Sequence, residues 1–80
     1  MTVTVRLFAS YADRLGRTHM ELELANGATV ADVMQTVSGL PGASALPPAP
    51  LVAVNYSYAT RNTPLAHGDE VAIIPPVAGG

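Results

Sequence analysis

The chain of 80 residues contains no cysteine, which excludes disulfides, thiolate-bound metal and iron–sulfur clusters together. It contains no lysine either, so its side-chain cations are Arg6, Arg14, Arg17 and Arg61 alone. Six carboxylates outweigh them and the net charge is −2. No basic patch of the kind that neutralises phosphates can be built from that set, and nucleic acid is excluded as a partner. The missing lysines also leave no side-chain amine through which copies of the chain could be joined into polymers. Aromatic residues are few, namely Phe8, Tyr11, Tyr56 and Tyr58, although 49% of the chain is hydrophobic. The core is therefore expected to be aliphatic, built from Val, Leu, Ile and Ala. No apolar run approaches the ~20 residues that span a bilayer. The opening MTVTVRLF alternates instead of placing a charged segment before an apolar block, so no secretory leader and no membrane association are expected. A soluble cytoplasmic protein of one domain is the expectation. At this size a fold buries only about 60% of its unfolded surface, and stability has to come from packing.

What is present is periodicity. Thr2 to Phe8 alternates with period two, with Val3, Val5 and Leu7 on one side and Thr4, Arg6 and Phe8 on the other. That pattern predicts a half-buried strand. ASYADRLGR is rich in helix formers and stops at Gly16, which predicts a short helical turn. His19 to Leu24 alternates again, Met20, Leu22 and Leu24 against His19, Glu21 and Glu23, and predicts an antiparallel partner for the first strand. In NGATVADVMQTVSG, Thr29 and Asp32 form a capping box, and Val30, Val33, Met34 and Val37 make one apolar stripe. An amphipathic helix is predicted there. Its three valines lower its intrinsic propensity, so a sheet has to hold it, and Gly39 is placed to close it in the left-handed conformation. LPGASALPPAP carries four prolines and predicts an extended loop instead of a second helix. LVAVN reads as a short buried strand, YSYATRNTPLAHGD as a turn-rich irregular stretch, and EVAIIP as a strand that Pro75 ends. One helix on one face of a small mixed sheet is an α+β domain, in the element order of a β-grasp. The expected division is a folded domain over 1–74 and a flexible tail over 75–80.

Conventional catalytic equipment is missing from this pattern. His19 and His67 stand alone, outside any metal-ligand spacing. The carboxylate pairs Glu21/Glu23 and Asp69–Glu70 fall on a wet strand face and in a turn, where nothing splits their pKa values for acid–base work. The glycines form no phosphate-cradling loop, and Ser10, Ser38, Ser44 and Ser57 lack a nucleophile elbow. Alone, the chain is not expected to be an enzyme.

One reactive group remains, the α-carboxylate of Gly80. A carboxylate resists nucleophiles until its oxygen becomes a leaving group, as adenylation by ATP would make it. That step belongs in a partner's active site, into which the tail must thread. Gly79 and Gly80 have no Cβ, so a narrow channel can close on their backbone. Pro75 and Pro76 lack N–H donors and hold an extended path that cannot lengthen a sheet ladder. Six residues from Pro75 to Gly80 reach about 20 Å when fully stretched. Val77 and Ala78 complete this partner-binding lead-in. Phe8, standing with Thr4 and Arg6, and Ile74, alternating away from Val71 and Ile73, would form an apolar docking patch on the face opposite the helix.

The ending GDEVAIIPPVAGG resembles that of the sulfur-carrying small subunits of molybdopterin synthase, the MoaD type within the MoaD/ThiS β-grasp superfamily. VRLFASYADRLG, ATVADVM, LVAVN and TPLAHGDEVAIIPPV extend the likeness over nearly the whole chain. The resemblance implies that a partner enzyme adenylates Gly80 with ATP and that sulfur then replaces AMP. The resulting thiocarboxylate would donate sulfur to cyclic pyranopterin monophosphate inside the large subunit, in a heterotetramer of two small and two large chains. It implies no cofactor bound by this chain. LPGASALPPAP departs from the pattern, which has a second helical stretch there, and this bears on how partners dock. Other readings stay open at this point. They are a carrier for the thiamine thiazole or another sulfur-containing metabolite, a ubiquitin-like modifier joined to other proteins through Gly80, and an interaction module with no chemistry of its own.

Overall fold

Strand β1, Thr2–Leu7, buries Val3, Val5 and Leu7 on one face as its alternation requires. The computed structural model describes residues 1–43 and 50–75, leaving residues 44–49 of the proline-rich segment and 76–80 of the expected tail outside the described residues. After β1 come helix α1 (Ser10–Leu15), β2 (His19–Glu23), helix α2 (Val30–Ser38), β3 (Leu51–Val54), β4 (Ser57–Tyr58) and β5 (Glu70–Ile74). The strands form one mixed sheet in the order β2-β1-β5-β3-β4. β1 runs antiparallel to β2, with Val5 opposite Met20, and parallel to β5, with Val5 opposite Val71. β5 is therefore paired on both sides, since β3 runs antiparallel along its other edge with Leu51 opposite Ile74. This is the α+β, ubiquitin-like arrangement expected of a β-grasp.

The core lies between α2 and one face of the sheet. Val30, Val33 and Val37 of α2 meet Val3, Val5, Leu7, Val52, Val71 and Ile73, with Tyr11, Met20 and Leu65 closing the sides. Each fully buried aliphatic side chain contributes about 1.5–3 kcal/mol by leaving water. Among the described residues the buried side chains are all of the hydrophobic class, Tyr11 included, so specificity rests mainly on shape and on the backbone ladders. The acidic half of the capping box is in place: the Thr29 backbone N–H donates to Asp32 Oδ2 at 2.8 Å. None of the described helices is long and apolar enough to cross a membrane.

Two expectations are corrected. Gly39 does not turn left-handed; its φ is −89°, and α2 ends instead in tight bonds from Gly39 and Leu40 N–H to the carbonyls of Thr36 and Val37. The left-handed glycine is three residues later. Gly42 has φ +88°, and a Cβ there would lie 2.6 Å from the Arg14 carbonyl oxygen, so this position lets the chain press against the end of α1. The second correction is β4, which lies inside the stretch read as irregular and pairs Tyr58 with Ala53. Two residues are too few for alternation to register, and the turn before them, Asn55–Tyr56, lacks the Asn-Gly pair that announces a hairpin.

Candidate functional site

Among the described residues no helix covers the face of the sheet opposite α2. Alternation directs Arg6 of β1 with Phe8 just beyond its end, Glu70, Ala72 and Ile74 of β5, and Leu51 and Ala53 of β3 to this side. Ala72 and Ala53 are opposite one another in adjacent strands, and their small side chains leave a hollow between larger neighbours. The hollow has a volume of about 450 Å³ and is lined by Arg6, Phe8, Ala53, Tyr56, Tyr58, Glu70, Ala72 and Ile74. Across its floor Arg6 Nε pairs with Glu70 Oε1 at 3.0 Å. Arg6 is half exposed there, so the pair is worth about 1 kcal/mol or less and orients the two side chains more than it stabilises the fold.

Phe8 and Ile74, separated by most of the sequence, come together at one end of this hollow. The Phe8 N–H donates to the Ile73 carbonyl at 3.3 Å, which brings the end of β1 beside the end of β5. Phe8 is 44% exposed and Ile74 is half-buried. No loop among the described residues hides the pair. Pro75 follows directly, and its missing N–H suits the point where the ladder stops. Pro76, Val77, Ala78, Gly79 and Gly80 lie outside the described residues. The sequence reading missed the other half of the rim. Tyr56 and Tyr58 are 88% and 77% exposed, and only the unrecognised hairpin brings them to this face.

Several titratable side chains elsewhere have structural partners. His67 Nδ1 accepts from the Thr2 N–H at 3.0 Å and ties its loop to the start of β1. Asp69 accepts from Asn55 Nδ2 at 3.0 Å and from the Ala66 N–H at 2.8 Å. Glu23 accepts from the Thr2 hydroxyl. His19, on outer strand β2, is distant from His67 in the fold. Among the described residues no three His, Cys, Asp or Glu side chains are grouped as metal ligands would be. Tyr11, pushed upward in pKa by burial, belongs to the core and not to this face. What the open face offers is a partly apolar surface with an aromatic rim, next to the place where the chain leaves its central strand.

Comparison with known proteins places this geometry. The ThiS family model matches residues 5–80. A molybdopterin synthase sulfur carrier subunit of Arabidopsis thaliana is 30% identical over 79 residues, covering 98% of this chain and 82% of that protein. Among solved structures, small archaeal modifier protein 1 of Haloferax volcanii superposes with a TM-score of 0.85 at 27% identity over the full length of both chains. A chain in the complex of subunits 1 and 2 of the molybdopterin-converting factor of Helicobacter pylori superposes with a TM-score of 0.73 at 26% identity, again over both full lengths. A match that spans all five strands and both helices and continues to the final glycine means that the chain belongs to the ThiS family of β-grasp proteins, alongside the MoaD-type sulfur carriers.

Proposed function

We propose that this chain is the sulfur-carrying small subunit of a molybdopterin synthase, with the Gly80 carboxylate as its one reacting group. The observation that carries the reading is the exit of the chain. β5, held by β1 and β3, ends at Ile74–Pro75 on the rim of the open hollow, and the family match continues through Gly80. The five residues after Pro75 reach about 17 Å fully extended. That is enough for Pro76, Val77, Ala78 and Gly79 to lead the terminus into a partner while the folded domain, residues 1–74, stays outside.

The chemistry then divides between proteins. In an adenylating enzyme, a Gly80 carboxylate oxygen attacks the α-phosphorus of ATP and pyrophosphate leaves. A sulfur nucleophile adds to the acyl carbon, and AMP departs with the original oxygen. The thiocarboxylate so formed is presented to the large subunit of the synthase, where its sulfur passes to cyclic pyranopterin monophosphate and water restores the carboxylate. Two such deliveries supply a dithiolene, and a heterotetramer of two small and two large subunits would bring two loaded termini to one assembly. This chain supplies no catalytic side chain and binds no cofactor of its own; the ATP is the partner's substrate. The cytoplasm, where ATP is at hand, is the compartment this reading requires.

Intact mass tests it. Co-expression with an adenylating enzyme and a sulfur source should add the mass difference between one oxygen and one sulfur, and deletion of Gly80 should abolish both that gain and cofactor production. An unchanged mass together with normal cofactor production by the deletion variant would overturn the reading. The likeness to an archaeal modifier protein favours a second reading, in which the activated Gly80 is joined to lysines of other proteins. Recovery of tryptic peptides bearing Gly80 in isopeptide linkage would establish that one instead.

A further inference from the structure

Among the described residues, three that are not glycine hold positive φ: Ala9 at 49°, Asn55 at 49° and Tyr56 at 72°. All three adjoin the open hollow, since Ala9 follows Phe8, Asn55 precedes Tyr56, and both Phe8 and Tyr56 line it. Asn55 has a local reason. Asparagine tolerates this region because its short amide bonds nearby groups, and here Nδ2 donates to Asp69 while Oδ1 accepts from the Glu70 N–H at 3.0 Å. Tyr56 has no reason of that kind. When turn geometry alone decides, the second place of a two-residue hairpin is filled by glycine, and a bulky residue there is strained. The ring gains little inside the chain, because 88% of the residue stays in solvent. Strained backbone of this kind gathers where a protein holds something else.

We propose that Tyr56 is an anchor for the large synthase subunit, held by its strained turn in the orientation that subunit requires; this rests on the carrier reading above. The occupant follows from the exit of the chain. Ile74 lines the same hollow, and the short segment after Pro75 obliges any protein that draws in Gly80 to lie against this rim. Two proteins would handle Gly80. Of the two, a second synthase subunit is the partner found with a protein of this fold, in the Helicobacter pylori complex of subunits 1 and 2. Among the described residues Phe8, Leu51, Tyr56 and Tyr58 are the large hydrophobic ones left exposed, three of them line the hollow, and together they suit a protein–protein contact. Tyrosine supplies broad contact area at small conformational cost, which is why it dominates protein interfaces.

The test is Tyr56→Gly in the full chain, measured twice. Thermal unfolding of the free protein should shift upward by a few degrees as the backbone strain is removed. Affinity for the purified large subunit encoded in the same genome should fall roughly tenfold or more, as for an interface anchor. Tyr56→Asn, which tolerates the left-handed turn without a ring, should lose the same affinity. Unchanged affinity in both variants overturns the proposal. So does a fall in unfolding temperature, because the ring would then serve the fold. Intact binding with slower thiocarboxylate formation also overturns it, by moving the contact to the adenylating enzyme. If the wild-type chain forms no complex with the large subunit, the partner reading itself fails, and this proposal with it.

Discussion

Two faces of one sheet are built to different rules. The face under α2 is aliphatic and closed, with Val3, Val5, Val71 and Ile73 fully buried. The other face keeps Phe8, Tyr56 and Tyr58 in solvent around a floor of alanines and one ion pair. Among the described residues, all three non-glycine residues with positive φ border that second face and none lies in the packed core. Stability is thus concentrated on one side, and on the other the chain keeps features that a fold selected for stability alone would discard. Under the proposed carrier role this division makes sense: one face keeps the scaffold rigid, and the other is left for partners.

Adjacent residues give the sharpest way to break this comparison. Ile73 points into the core and is fully buried, whereas Ile74 lies on the rim. Ile73→Ala should cost about 2–5 kcal/mol through lost transfer energy and the cavity left behind, a large share of the roughly 4–12 kcal/mol a domain of this size holds. Ile74→Ala should cost about 1 kcal/mol or less in the free protein and show its larger effect in partner binding. Urea unfolding of both variants decides the matter; equal losses would mean that the open face supports the fold as much as the closed one does.

Strain on the open side gives the next effect in size. Ala9 combines φ 49° with ψ −125°, a conformation that only glycine enters readily. Ala9→Gly should raise stability by about 1 kcal/mol, the removed strain being partly offset by the greater freedom of glycine in the unfolded chain. An unfolding midpoint at or below that of the wild type would show that the turn after Phe8 is not strained as its angles indicate.

The two faces were also unequally legible in the sequence. Period-two alternation in β1 and β2 and the helical stripe of α2 placed Val3, Val5, Leu7, Met20, Val30, Val33 and Val37 in the core, because burial acts on each position independently and leaves a repeating mark. Phe8 and Ile74 could be read as outward-facing by the same rule. That they meet could not, since it depends on β1 and β5 lying parallel at the centre of the sheet, a pairing of the first strand with the last. Tyr56 and Tyr58 were hidden for a local reason. Their hairpin breaks the turn code at the very residue that matters, so the signal that would have revealed the strand was replaced by the side chain that gives the site its rim. Gly39 misled in the opposite sense: glycine after a helix permits a left-handed close without requiring it, and the close approach of Gly42 to Arg14 took that role instead.

The smallest effect contrasts two tyrosines. Tyr58 on the open rim is 77% exposed, while Tyr11 at the edge of the core is 2% exposed. Burial raises the pKa of Tyr11 above its ordinary 10.0, because the phenolate loses hydration there. The folded state therefore holds the Tyr11 proton more tightly than the unfolded chain does. The stability that follows is fully present below the unfolded value and is lost as pH rises through the folded one. Thermal unfolding followed from about pH 8 to about pH 11 should show a decline beginning near the ordinary tyrosine range. Tyr11→Phe should make that decline shallower while leaving the contribution of the exposed tyrosines in place, so the difference between the two profiles isolates the buried ring. Parallel profiles would mean that Tyr11 ionises without opposing the fold, and that the edge of the core near α1 is as open to water as the rim on the other side.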